Sequence, residues 1–241
     1  MPSRINTESS KNAKTSKRDD EISLTRANRW LWRFSSLGLT NEIRRCTKCI
    51  DQRYANKDRL VTSEKPFVKF NVWKKWKPDG NVTVLFVAES PPWNGKQRYF
   101  CNLDVVEKRT NLRKEVLKYL KLESLKDFRT RGYFLTDAVK CRLNKSRKPN
   151  VPSKVLKTCA DYFLKREIID LKPETIFVLG NSAKQALSRF PEFRELENHK
   201  ITDDFDMNLS GYCVILCVYP GAQNGAHINQ IKRSFAKITR P

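Results

Sequence analysis

Val82-Thr83-Val84-Leu85-Phe86-Val87-Ala88 is an unbroken apolar run rich in β-branched residues, the pattern of a strand buried on both faces. Three similar runs follow, Tyr133 to Val139, Thr175 to Leu179 and Tyr212 to Tyr219. Helical patterns lie between them, notably Leu112 to Leu122, Ser153 to Leu171 and Ser182 to Phe190. Strands alternating with helices predict an α/β fold, a parallel sheet covered on both sides. Ligands bind such sheets at the carboxyl ends of the strands, so chemistry is expected just after each run. Those positions hold Glu89-Ser-Pro-Pro-Trp93, Asp137-Ala-Val-Lys-Cys-Arg142, Gly180-Asn-Ser-Ala183 and Tyr219-Pro-Gly-Ala-Gln-Asn-Gly-Ala-His227.

A chain of 241 residues is long enough to bury a full core, and one domain with extensions is the expected organisation. Residues 1 to 22 are rich in Ser, Lys, Asn and Thr with almost no apolar content, which predicts a disordered basic arm ahead of a domain over 23 to 241. The formal charge is +22, of which Met1 to Asp20, with five basic and three acidic residues, carries only +2. The remaining charge points to a polyanionic partner, most simply nucleic acid. No apolar run is long enough for a membrane span and no signal-peptide core precedes the domain, so the expectation is a soluble, cytoplasmic monomer.

Seven cysteines in a chain without a secretion signal argue for metal binding and buried thiols rather than disulfides. Cys46 and Cys49 form a Cys-x-x-Cys pair, and Cys141 and Cys159 are separated by 17 residues. Thiolates so spaced can meet around a zinc ion or an iron-sulfur cluster. Cys159 also lies on an apolar helical face with Val155 and Phe163, where a cysteine packs as a small hydrophobe. Core packing is the expectation for Cys101, Cys213 and Cys217.

Taken in order, the Cys-x-x-Cys, the Ala-Glu-Ser-Pro-Pro loop, Leu-Thr-Asp-Ala-Val-Lys-Cys-Arg, the helical Cys159, the segment Leu171 to Gly180 and the final Pro-containing loop resemble the uracil-DNA glycosylase superfamily. The resemblance is closest to its iron-sulfur, family 4-like branch and spans roughly Trp30 to Phe235. It implies a three-layer α/β/α fold with a central, mainly parallel four-stranded sheet. It also implies a [4Fe-4S] cluster on Cys46, Cys49, Cys141 and Cys159, with zinc as the alternative. The activity implied is removal of uracil or another deaminated or modified base from DNA by a monofunctional glycosylase. The alternative is a noncatalytic iron-sulfur protein that binds nucleic acid on the same fold.

Cleaving an N-glycosidic bond needs a positioned water, support for a sugar cation and donors aimed at the departing base, and the base must first leave the duplex. Glu89 matches the loop that approaches the sugar, and a carboxylate there would orient water. Ser90 would contact the base through its amide, and Pro91 and Pro92 stiffen the loop. Phe100 is the expected stacking ring. Asp137 stands where the family normally carries the Asn that reads the base. An ionised carboxylate only accepts hydrogen bonds and suits an exocyclic amino group, whereas a protonated one restores uracil recognition; a salt bridge with Lys140 or Arg142 is the structural alternative. The family's His-Pro is Tyr219-Pro220 here, so Tyr219 or His227 is the candidate donor to the leaving base. Lys140, Arg142, Gln223 and Asn224 are expected DNA contacts, in line with seven Lys/Arg and no acid over Ala138 to Ala160.

Overall fold

The computed structural model describes residues 38–49, 64–92, 99–102, 111–143 and 151–239; the basic arm expected over 1 to 22 lies outside them. Five strands, β1 (Val84–Ala88), β2 (Tyr133–Asp137), β3 (Thr175–Leu179), β4 (Asp206–Leu209) and β5 (Tyr212–Cys217), form one sheet in the order β2-β1-β3-β5-β4. β1, β2, β3 and β5 run parallel and are the four apolar runs of the sequence. The expected count of four is corrected by β4, which pairs antiparallel with β5. Asp-Met-Asn-Leu is exposed over its first three residues, so it carries no apolar run to announce it. Leu209 opposes Tyr212 across a two-residue turn in which Ser210 and Gly211 both have positive φ, 52° and 88°, as a type I′ hairpin requires.

All five residues of β1 are buried because the strand lies between β2 and β3. Phe86 anchors an aromatic cluster, with ring centroids 5.0 Å from Phe177, 5.3 Å from Phe128, 5.9 Å from Tyr133 and 6.3 Å from Phe235. Burying one such side chain contributes about 1.5–3 kcal/mol. The helix Leu125–Thr130 in this cluster starts on a capping box, Ser124 accepting from Asp127 N while the Asp127 carboxylate accepts from Ser124 N, which satisfies two otherwise open amides.

The chain steps from β1 to β2 on one side, then back across β1 to β3, so the strand order reverses between β1 and β3. Right-handed crossovers send the connection through Asn111–Leu120 and Leu125–Thr130 to one face and that through Ser153–Leu171 to the other. The last helix, Ile228–Thr239, packs on Asn111–Leu120 and β5. The reversal opens a crevice at the carboxyl ends of β1 and β3, the usual ligand position of an open parallel sheet. No helix among the described residues is long and apolar enough to cross a membrane.

Candidate functional site

Backbone hydrogen bonds continue past the strand ends and hold the loops in register. Ala138 N donates to Ala88 O at 2.8 Å and Val139 N to Glu89 O at 3.0 Å, and Gly180 N donates to Cys217 O at 2.9 Å. The loops after β1, β2, β3 and β5 therefore meet at one end of the sheet. Across the crevice, the Ser182 hydroxyl donates to Glu89 Oε2, joining two residues 93 apart in sequence. Ser182 had no functional expectation; its only signal was its place just after a strand.

Asp137 is the last residue of β2, pairs with Ala88 and is 4% exposed. Its charge reaches two phenols. Burial first, and then Asp137 and Glu89, push the Tyr219 hydroxyl up to about 12. Tyr99 is held well above the usual tyrosine range by burial and by Asp137. Both hydroxyls keep their protons at neutral pH and are donors. Gly180, with φ +87°, lies against Tyr219: a Cβ built on it would sit 3.6 Å from Tyr219 Cβ. Ser90 Oγ is shielded from solvent and has no hydrogen-bond partner among the described residues, an open polar atom beside Glu89.

Thus Glu89, Asp137 and Tyr219 share one site, with Ser90 in the β1 loop. His227 is exposed at the end of the turn Ala222–His227 that leads into the last helix. Asn224 Nδ2 donates to Tyr219 O at 2.8 Å, so its amide braces the loop carrying Tyr219. The Gln223 side chain lies outside the described part of that turn.

Three expectations are corrected. Phe100 is buried and meets Phe128 edge-on at 5.4 Å, so its ring belongs to the core and presents no stacking face. Lys140 is 1% exposed; its Nζ donates to Thr136 Oγ1 at 2.7 Å, Asp137 O at 2.6 Å and Glu167 Oε2 at 2.6 Å. Arg142 is 2% exposed, pairs with Glu64 at 3.0 Å and donates to Pro92 O. Both cations are spent on interior acceptors, because a buried charge is tolerable only when paired and hydrogen-bonded. They shape the loops from within instead of meeting phosphate.

Next to this site, Cys46, Cys49, Cys141 and Cys159 line one small cavity of about 10 Å³ together with Ile43, Lys65, Lys140, Thr158 and Phe163. Burial pushes the Cys141 thiol up to about 12, opposed by Lys65 and reinforced by Cys49 and Cys46. Burial likewise raises Cys159, whose sulfur accepts from Lys140 N at 3.3 Å. No three His, Cys, Asp or Glu side chains among the described residues are arranged to hold a single metal ion. Cys217 is buried in β5, Cys101 is buried, and Cys213 is half-buried.

The model of the uracil DNA glycosylase superfamily matches residues 75–238. The match takes in all five strands and every strand-end loop, and begins after Cys46 and Cys49. No curated protein matches the chain. With more than half its length covered by the family model, and its acidic and phenolic residues gathered at the carboxyl ends of the parallel strands, the chain belongs to the uracil DNA glycosylase superfamily.

Proposed function

We propose that this protein is a monofunctional DNA glycosylase that hydrolyses the N-glycosidic bond of uracil or another deaminated or modified base, the first step of base excision repair. The observation that carries the reading is the convergence of Glu89, Asp137 and Tyr219 from three separate strand ends, with the charges of Asp137 and Glu89 both acting on the Tyr219 hydroxyl. Each meets a separate demand of the reaction. Glu89, held by Ser182, orients the attacking water and favours the cationic sugar. Asp137 reads the edge of a base flipped into the crevice. Tyr219, still protonated, donates to the base as negative charge develops on it. Lys140, the lysine beside Asp137, is locked in an ion pair with Glu167 and offers no free amine for a lyase step.

The Cys-x-x-Cys pair and the two further cysteines that line the same cavity support a metal centre at this place. We assign Cys46, Cys49, Cys141 and Cys159 as the ligands of a [4Fe-4S] cluster. Bound there, the cluster would cross-link the segment around Cys46, the loop after β2 and the helix of Cys159; hydrolysis requires no electron transfer from it.

The test is single-turnover base release from oligonucleotides carrying uracil, hypoxanthine, xanthine, cytosine and mismatched thymine. Release from at least one is expected, and inactivity across the set would refute the catalytic reading.

A further inference from the structure

An ammonium group has three donors, and Lys140 directs all three inward. Thr136 Oγ1, the main-chain oxygen of Asp137 and Glu167 Oε2 accept them at 2.7, 2.6 and 2.6 Å. Thr136 Oγ1 adds a bond to the same Glu167 oxygen at 2.9 Å, and the Phe67 ring lies 5.1 Å from Nζ. Glu167 is fully buried and stands on the helical run that begins at Ser153 and carries Cys159. The backbone N–H of Lys140 in turn donates to Cys159 Sγ. One residue therefore fastens the last two residues of β2 to the helix behind them.

A buried ion pair is a poor way to gain stability, since apolar residues of equal volume generally do as well. What this pair supplies that apolar residues would not is a fixed direction for the Asp137 main-chain oxygen. We infer that Lys140 and Glu167 are positioning residues whose ion pair sets the orientation of Asp137 and thereby the rate at which the site releases a base. The inference rests on the glycosylase reading of the site. It differs in kind from a surface role for Lys140, because the lysine acts through Asp137 and touches neither DNA nor the base.

The decisive comparison is between Lys140→Met and the double variant Lys140→Met/Glu167→Met. The single variant leaves Glu167 buried without its cation, and its Tm is expected to fall. The double variant removes both charges and is expected to recover most of that Tm. Base release by the double variant nevertheless stays roughly 10- to 100-fold slower in single turnover, the scale of loss when a reacting group is displaced by about an ångström. Its affinity for duplex DNA stays within about threefold of the parent, because no phosphate contact has been lost. Recovery of the parental rate together with Tm would show a purely structural pair and overturn the inference, as would a loss confined to duplex affinity.

Amide hydrogen exchange reads the same link without turnover. The Ala138 and Val139 amides, bonded to Ala88 O and Glu89 O, are expected to exchange at least about tenfold faster in the double variant. Unchanged exchange overturns the inference. A parent protein that releases no base would refute the glycosylase reading, and exchange alone would then decide this one.

Discussion

Glu89 and Ser182 meet across the crevice where the strand order reverses, and the pair can be tested as a unit. In Glu89→Gln the shape is kept and the charge is lost. Removing a positioned base of this kind costs about 10²- to 10⁴-fold, or about 2.7–5.4 kcal/mol of barrier. Ser182→Ala leaves the carboxylate but removes the hydroxyl donating to Oε2. A hydrogen bond to a charged group contributes about 1.5–3 kcal/mol, and the half-buried setting of both residues places the expected loss at the lower end, about tenfold. Because the serine acts only through the glutamate, the double variant should be no slower than Glu89→Gln alone, giving a coupling energy of about 1.5 kcal/mol. The assay is single-turnover release of the preferred base at saturating enzyme, with duplex affinity measured in parallel. Release by Glu89→Gln within about threefold of the parent would remove the water-positioning role, and losses that add within about 0.5 kcal/mol would dissolve the link to Ser182.

Asp137→Asn restores a side chain that both donates and accepts, so the profile of released bases should move towards uracil; an unchanged profile on the same panel would exclude direct reading by this residue. Tyr219→Phe deletes one donor to the leaving base and should slow release by about 10²-fold. Because the folded-state pKa of Tyr219 is raised to about 12 from an unfolded value of about 10, its stabilising contribution is complete below pH 10 and is lost as pH rises from 10 to 12. Urea midpoints at pH 9 and pH 11 should therefore fall further in the parent than in Tyr219→Phe, and equal falls would contradict the shift. Cys141→Ala and Cys159→Ala should each lose bound iron and soluble protein, measured by metal analysis and the broad absorbance of an iron-sulfur cluster; full iron retention would overturn the ligand set.

The four parallel strands were legible because a strand buried on both faces must be apolar throughout, as Val84–Ala88 is. β4 was not, since an edge strand is released from that demand; Ser210-Gly211 was the sequence signal for its hairpin. Glu89, Asp137 and Tyr219 could be placed because a parallel sheet delivers its strand ends to one side. Lys140 and Arg142 misled for a related reason. In a segment crowded with lysine and arginine they look like solvated charge, and nothing local discloses that Glu167, 27 residues downstream, and Glu64 draw them inside. Phe100 was misread because a ring in a candidate loop has the same sequence signature whether it faces a ligand or, as here, Phe128.

Between Ser153–Cys159 and Lys165–Leu171 the helix widens into a π turn over Ala160–Leu164. In an unbroken α-helix, eight residues would leave Cys159 and Glu167 about 80° apart around the axis, at about 100° per residue. One extra residue taken up in the π turn brings that offset to about 20°, and both side chains can then address Lys140. The phase of this helix is thus tuned by its irregularity. Removing a single residue from Ala160–Leu164 would let the run close as an unbroken α-helix with the same offset of about 20°, whereas winding all eight residues as α-helix would aim the thiol and the carboxylate at different neighbours.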